Sequence, residues 1–337
     1  MAFSLLSPHV VGAWNASGHM TITAMAYERL PREVQQKVDA ILLAHPRYGE
    51  WKAQWNADVG APLNLYIFLR ASTWADELRL DSYSWVKENG EPVLRNGKPV
   101  IDPAREAEKK AYDHPTWHFT NYPLKPPDFP TDDRLEPDED VIFAIEHSRL
   151  TVQGQHTGPE DRAAALAWLT HVVEDIHQPL HCAAFFGPHF PYGDKGGNWF
   201  VVRTPDQEPV SLHSLWDNIL GISPSVPRVL DAAHQLAADP GLAREKLPEL
   251  GADATPESWA LEGRALAIST VYLRGALEPA PVRCALDPAT KKPVLLAMEA
   301  WNARPLPSDY LRNAVAAAKR CFALASYRLQ DELMKLR

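Results

Sequence analysis

Thirteen histidines are spread along the 337 residues, and five of them stand in company that could bind a cation. His171 and Asp175 lie four positions apart in a strongly helical pattern, so they project from one face about a turn apart. His213 and Asp217 repeat that spacing in SLHSLWD. His181 follows Asp175 by six positions, just past Pro179, where the chain can fold back beside the same face. Asp76 closes an apolar run at Trp74-Ala75-Asp76, His118 sits between Trp117 and Phe119, and His19 follows Gly18. Imidazole with carboxylate is a zinc donor set, and an i, i+4 pair chelates a single ion. A solitary histidine among apolar neighbours is more often a satisfied core residue, and one i, i+4 His/Asp pair could be plain ion pairing. Two such pairs in one chain shift the balance toward metal. His177 and His181 also form an HxxxH, but Pro179 between them breaks the helix that spacing needs. A di-iron carboxylate bundle would require two Glu-x-x-His motifs, and Glu174 with His177 is one.

The remaining composition narrows the chemistry. Lys and Arg total 34 against 43 Asp and Glu, a formal net charge of −9. A protein that grips phosphate by its own side chains is usually basic, so any phosphate handled here needs another source of positive field. Hydrophobic residues at 45% and charged ones at 23% exclude wholesale disorder. No apolar run approaches the ~20 residues of a spanning helix, and no stable membrane insertion is expected. Residues 1–13, MAFSLLSPHVVGA, read as a short signal peptide with Val11 and Ala13 at the small-residue positions before Trp14, although no basic residue precedes the apolar part. That reading predicts a secreted or periplasmic protein. None of Cys182, Cys284 and Cys321 lies in a CxxC; Cys284 and Cys321 could pair, and the sequence leaves this open.

The elements that must position these residues are mainly helical. Amphipathic or capped patterns predict helices over 17–30, 31–44, 137–153, 159–178, 226–238, 256–276 and 308–336, with a proline-rich loop over 123–137. Pro159 opens the clearest of them, with Glu160 and Asp161 in its first turn, and Pro179 should end it. Hairpins are expected over 84–101, around Asn89-Gly90 and Asn96-Gly97, over 198–213 and over 281–297. Helices separated only by short hairpins predict a mainly α fold.

Six motifs occur in order: WNASGH at 14–19, ASTWADELR at 71–79, WHFTN at 117–121, LTHVVEDIHQPLH at 169–181, GDKGGNWF at 193–200 and SLHSLWD at 211–217. Together they resemble the zinc-dependent single-strand nucleases of the fungal S-one and P-one type, which share a fold with zinc-dependent phospholipase C. The resemblance implies a helical domain over residues 14–337 holding three zinc ions. Asp76, His118 and His171 would hold one ion of a close pair. Trp14, through a free α-amino nitrogen and its carbonyl oxygen, and His19 would hold the other, with Asp175 bridging. His181, His213 and Asp217 would hold the third. Ligands from residue 14 to residue 217 must then converge in one cleft, which argues for one domain. Three Zn²⁺ would also supply the positive field that the acidic composition lacks.

The activity this resemblance implies is hydrolysis of single-stranded DNA and RNA to 5′-phosphate products, with 3′-nucleotidase activity; phospholipase C chemistry at the same centre is the alternative. Arg79 matches a basic position after WAD and could clamp transition-state charge; otherwise it would pair with Glu77 or Asp81 on the surface. Phe119 matches a base-stacking aromatic, which gives affinity for unpaired strands without sequence preference, though simple packing would also explain it. Asn121 stands where many relatives carry an Asp that orients the attacking water; an amide can hold that water but cannot take its proton. Asp76 and His118 are 42 positions apart, longer than in the fungal enzymes, and the added segment 81–113 is expected to overhang the cleft. Asn15-Ala16-Ser17 is a glycosylation triplet expected to go unused, because a sugar beside Trp14 would obstruct the metals.

Overall fold

The structure is a computed structural model that describes residues 14–126, 129, 138–154, 156–251 and 255–336. The expected signal peptide over 1–13 and most of the proline-rich loop lie outside the described residues.

The chain is mainly α. In order it forms α1 (Ala16–Glu28), α2 (Arg32–Leu42), α3 (Tyr48–Gln54) and α4 (Leu63–Arg79). Next come the short ladders β1 (Lys87–Glu88) with β2 (Glu91–Pro92) and β3 (Leu94–Arg95) with β4 (Lys98–Pro99), then α5 (Pro103–Tyr112) and β5 (Tyr122–Leu124). The centre of the chain holds α6 (Val141–Gln153), α7 (Pro159–Asp175), β6 (Ala183–Phe185), the antiparallel pair β7 (Val201–Arg203) and β8 (Pro209–Ser211), and α8 (Leu212–Asp217). The C-terminal part adds α9 (Val226–Ala237), α10 (Pro256–Leu266), the hairpin β9 (Val282–Leu286) with β10 (Pro293–Met298), and α11 (Tyr310–Leu333).

Helices α1, α4 and α7 form the interior, with α1 packed on α4, α9 and α11, and α7 packed on α4, α6 and α11. Every residue of α1 from Gly18 to Tyr27 is buried, as is every residue of α7 from Ala163 to Asp175. A helix apolar on all sides belongs inside a core, yet these carry His19, Thr23, His171, Glu174 and Asp175, fully buried polar groups that need partners. One cluster of buried side chains runs continuously from Trp14 to Leu336.

Several expectations change in detail. Helix α4 was not legible as a helix: its 17 residues are buried on nearly every side, so no apolar stripe marks it. The segment 81–113 is not all hairpin, because Asp102 accepts from the backbone N–H of Ala104 and starts α5. The 84–101 region makes two turns, at Asn89-Gly90 and Asn96-Gly97, all four residues at positive φ, and so two short two-stranded ladders rather than one hairpin. Helix α10 ends ten residues before the expected 276, giving way to a wider turn over Ala267–Val271 and left-handed Leu273 and Arg274. The three thiols are unpaired, with Cys182 and Cys321 buried. Asn15 spends both amide N–H groups, on Asn218 Oδ1 (2.7 Å) and the Gly221 carbonyl (2.6 Å), while its oxygen caps α1, so a glycan on Nδ2 would displace at least one of these donations.

Candidate metal centre

Four helices and two loops bring the ligand-type residues together. α1 supplies His19, α4 supplies Asp76, and α7 supplies His171 and Asp175. The loop before β5 supplies His118. It is tied to the turn after α7 by the Thr120 N–H to the His181 carbonyl (2.7 Å) and by parallel pairing of β5 with β6. That turn carries His181: Gln178 accepts from the Leu180 N–H at 2.6 Å and fixes it. α8 supplies His213 and Asp217 one turn apart.

Around Asp175 the atoms converge closely. Asp175 Oδ2 lies 3.0 Å from His118 Nδ1 and 3.2 Å from His171 Nε2, while its Oδ1 lies 3.5 Å from His19 Nε2. Asp76 spans the same gap, with Oδ1 3.6 Å from both His118 Nδ1 and His171 Nε2 and Oδ2 3.8 Å from His19 Nε2. The second group is His181, His213 and Asp217, with the two Nε2 atoms 3.3 Å apart and His213 Nε2 3.6 Å from Asp217 Oδ2. Of the nine residues expected to bind metal, eight therefore gather into two neighbouring groups.

The ninth, Trp14, buries its indole, which donates to the Glu174 carbonyl at 3.2 Å and packs edge-on to Phe322. Its ring is committed to the core, so only its main chain could serve a metal. The following N–H, of Asn15, donates to the Asp217 carbonyl at 3.3 Å and places that stretch beside α8.

The tautomers speak for a cation. Nδ1–H of His171 donates to the Ser72 carbonyl (2.8 Å), that of His181 to the His118 carbonyl (2.6 Å) and that of His213 to the Gly196 carbonyl (2.6 Å), while that of His19 donates to Glu174 Oε2 (2.5 Å). Each such bond leaves an Nε2 lone pair aimed into the cluster, the arrangement in which a histidine ligates metal. His19 Nε2 and Asp175 Oδ1 are buried acceptors with no hydrogen-bond partner. Lone pairs and carboxylate oxygens facing one another at these distances repel unless a cation lies among them. Gly196 has φ +58 and would bring a Cβ to 2.6 Å from the Leu180 carbonyl, so glycine is needed where the chain passes to offer His213 its acceptor.

Protonation obeys the same logic. Burial pushes Asp175 up to about 7 against the pull of His171, and pushes Asp217 well above the carboxylate range. Burial and neighbouring imidazoles or Arg79 hold His19, His118 and His181 well below the usual histidine value. His171 goes the other way: burial opposes its charge, but Asp175 and Asp76 outweigh it and raise it to about 9. Buried carboxyls and a His171 that hold protons, beside neutral imidazoles, are poised to exchange those protons for metal.

Three expected residues stand at the edge. Arg79 is one turn beyond Asp76 on α4; Glu77 is engaged elsewhere, by Arg70 Nη2 at 2.8 Å, and among the described residues Arg79 forms no ion pair. Phe119 is half-buried and makes no ring contact among the described residues, which is not the packing of a core aromatic. Asn121 is half-buried with its side-chain oxygen turned toward Gly196. The segment 81–113 is anchored to α3 and α4 by Arg105 to Glu50 (2.7 Å) and by the Trp74 indole to Glu108 (3.0 Å). Its end carries Asp113, a carboxyl raised by burial against the opposing charges of Lys109 and Arg79.

Sequence reasoning missed the groups behind the ligands. Glu174 appeared only in an unsupported di-iron motif, and Gln178, which donates to Asp217 Oδ1 at 2.8 Å, drew no role. The carbonyls of Ser72, His118 and Gly196 leave no trace in residue types.

Fold and site define a mainly α protein whose buried histidine and carboxylate groups can hold metal ions. The chain belongs to the S1/P1 nuclease family, whose sequence profile matches residues 14–336. It is also similar to Endonuclease 4 of Arabidopsis thaliana, 41% identical over 56 residues, a stretch covering 17% of this chain and 16% of that relative.

Proposed function

We propose that this protein is a secreted or periplasmic phosphodiesterase that hydrolyses single-stranded DNA and RNA to 5′-phosphate products and acts as a 3′-nucleotidase. It would work from one domain over residues 14–337 with three zinc ions. The observation that carries the reading is the set of histidines held by Nδ1–H with Nε2 turned toward Asp76, Asp175 and Asp217. Membership of the S1/P1 nuclease family supports nucleic acid as the substrate.

Asp76, His118, His171 and Asp175 would hold one ion, and His19, Asp175 and the main chain of Trp14 a second, with His181, His213 and Asp217 holding the third. Zinc so bound supplies Lewis acidity to a phosphoryl oxygen and acidifies water near neutral pH. Arg79 contributes a guanidinium to the phosphate oxygens as charge builds there, in a site where its own charge is not neutralised by Glu77. Phe119 offers an aromatic face to an unpaired base, a contact that double-stranded substrate cannot make. Asn121 orients water by hydrogen bonding without accepting its proton.

A second reading, phospholipase C activity of the same centre, draws on one observation. Leu286, Leu295 and Leu296 on the β9–β10 hairpin and Trp301 are exposed, apolar side chains of the kind a lipid substrate would favour. Metal analysis together with assays on single-stranded DNA, single-stranded RNA, a 3′-nucleotide and phosphatidylcholine tests both. Hydrolysis of nucleic acid with three zincs per chain is expected. Turnover of phosphatidylcholine alone would replace the first reading by the second.

A further inference from the structure

Four histidines reach the centre through Nε2, and three of them are held by main-chain carbonyls. His19 alone is held by a carboxylate: its Nδ1 lies 2.5 Å from Glu174 Oε2. Glu174 is fully buried, and its second oxygen accepts from Thr23 Oγ1 at 2.6 Å, one turn along α1 from His19. Its backbone carbonyl, at the C-terminal end of α7, accepts the Trp14 indole N–H at 3.2 Å alongside the His177 N–H at 3.2 Å. Residue 174 thus grips α1 and Trp14 with three oxygens, while its neighbour Asp175, about 100° around the helix, turns into the cluster.

We propose that Glu174 is a positioning residue, which sets the tautomer and orientation of His19 and raises the donor strength of its Nε2 toward one particular ion of the centre. The inference rests on the metal-binding reading above. A carboxylate on Nδ1–H increases imidazole basicity more than a neutral carbonyl does, and such partners typically change metal affinity about 10–100-fold. Thr23 is the second half of the device: by occupying Oε1 it keeps Oε2 on His19. Neither residue touches substrate in this arrangement.

The test uses the chain beginning at Trp14, stripped and reloaded with zinc alone, in wild type, Glu174→Gln and Thr23→Val forms. Glutamine keeps the volume and an oxygen for His19 but removes the charge. Chelator competition should show one ion bound about 10-fold or more weakly in Glu174→Gln and several-fold more weakly in Thr23→Val, with the other ions as in wild type. Proton NMR should show a downfield, slowly exchanging His19 Nδ1–H in the zinc-loaded wild type that moves upfield in Glu174→Gln. Wild-type affinity for every ion in Glu174→Gln, or equal weakening of all of them, would overturn the proposal. If Glu174→Gln does not fold, unchanged affinity in Thr23→Val overturns it instead. Failure of the metal reading itself is separate, because it appears as a wild type that binds no zinc.

Discussion

His181 and His213 face each other Nε2 to Nε2 at 3.3 Å, and each is locked in that attitude by an Nδ1–H bond to a main-chain carbonyl 2.6 Å away. With both donors spent on the backbone, two lone pairs point into the same space beside Asp217. A shared proton or a cation resolves the repulsion, and Asp217 makes a divalent cation the better fit. His213→Ala is therefore expected to lose one zinc of three and leave the other ions in place, as measured by metal content after dialysis. Loss of all three ions would show that the two groups are one cooperative unit.

Asp175 has a different position, reaching His118 and His171 through one oxygen and His19 through the other. Asp175→Ala is expected to remove two zincs together and abolish hydrolysis. Asp76 spans the same gap at 3.6–3.8 Å, so the sequence-based view of Asp175 as sole bridge has a rival in the geometry. Metal analysis that finds a single zinc missing from Asp175→Ala would transfer the bridging role to Asp76.

The legibility of this site depends on what kind of group each residue uses. Side-chain donors at helical spacing, His171 with Asp175 and His213 with Asp217, were visible because residue type and period both report them. His19, Asp76 and His118 were found through motifs and not through periodicity. Helix α4 is buried on nearly every side, so the amphipathic signal that reveals α2 or α9 is weak there, whereas α1 and α7 are legible from their spacing and from Pro159. The pairing of β5 with β6 joins residues some 60 positions apart and has no local signature. Glu174 and the three carbonyl acceptors act through the orientation of ring nitrogens, which residue type and spacing do not encode.

Asn121 lies beside Gly196 with its side chain free of hydrogen bonds among the described residues. If its amide only orients water, Asn121→Ala should cost about 10-fold or less in kcat, and Asn121→Asp should preserve or raise the rate. Single-turnover hydrolysis of a single-stranded oligonucleotide measures both. A drop of several orders of magnitude in Asn121→Asp would assign the amide N–H groups a direct role with the substrate.

His45, outside the centre, should govern part of the acid stability. It is buried between Trp51 and Trp74, accepts the Arg47 N–H at 3.1 Å, and is pushed down to about 3 by burial and, secondarily, by Arg47. Its folded-state value lies below the unfolded value near 6.5, so the neutral form favours folding. That contribution is complete above about pH 6.5 and is lost as pH falls toward 3, at up to about 1.4 kcal/mol per pH unit. Denaturant titrations of the metal-stripped wild type and His45→Gln between about pH 4 and 7 should give a shallower pH slope for the variant. Parallel slopes would mean that His45 already takes up a proton in the folded protein.

Arg79 offers the sharpest separation of catalysis from stability. The pairing that would make it a surface residue is not formed, since Glu77 accepts from Arg70 and from Thr73 Oγ1. Its charge instead reaches inward, holding down His118 and His181 alongside larger effects of burial and helping to keep Asp175 ionised. A guanidinium placed to meet charge that develops on phosphate oxygens is worth about 10²–10³ in kcat, comparable to one oxyanion donor. Arg79→Ala should therefore lower kcat by about that factor with zinc content and thermal midpoint unchanged. Arg79→Lys should recover only part of the loss, because a single ammonium cannot reproduce two parallel N–H bonds to one phosphate. A variant that shifts the thermal midpoint by several degrees while kcat holds would return Arg79 to a structural role.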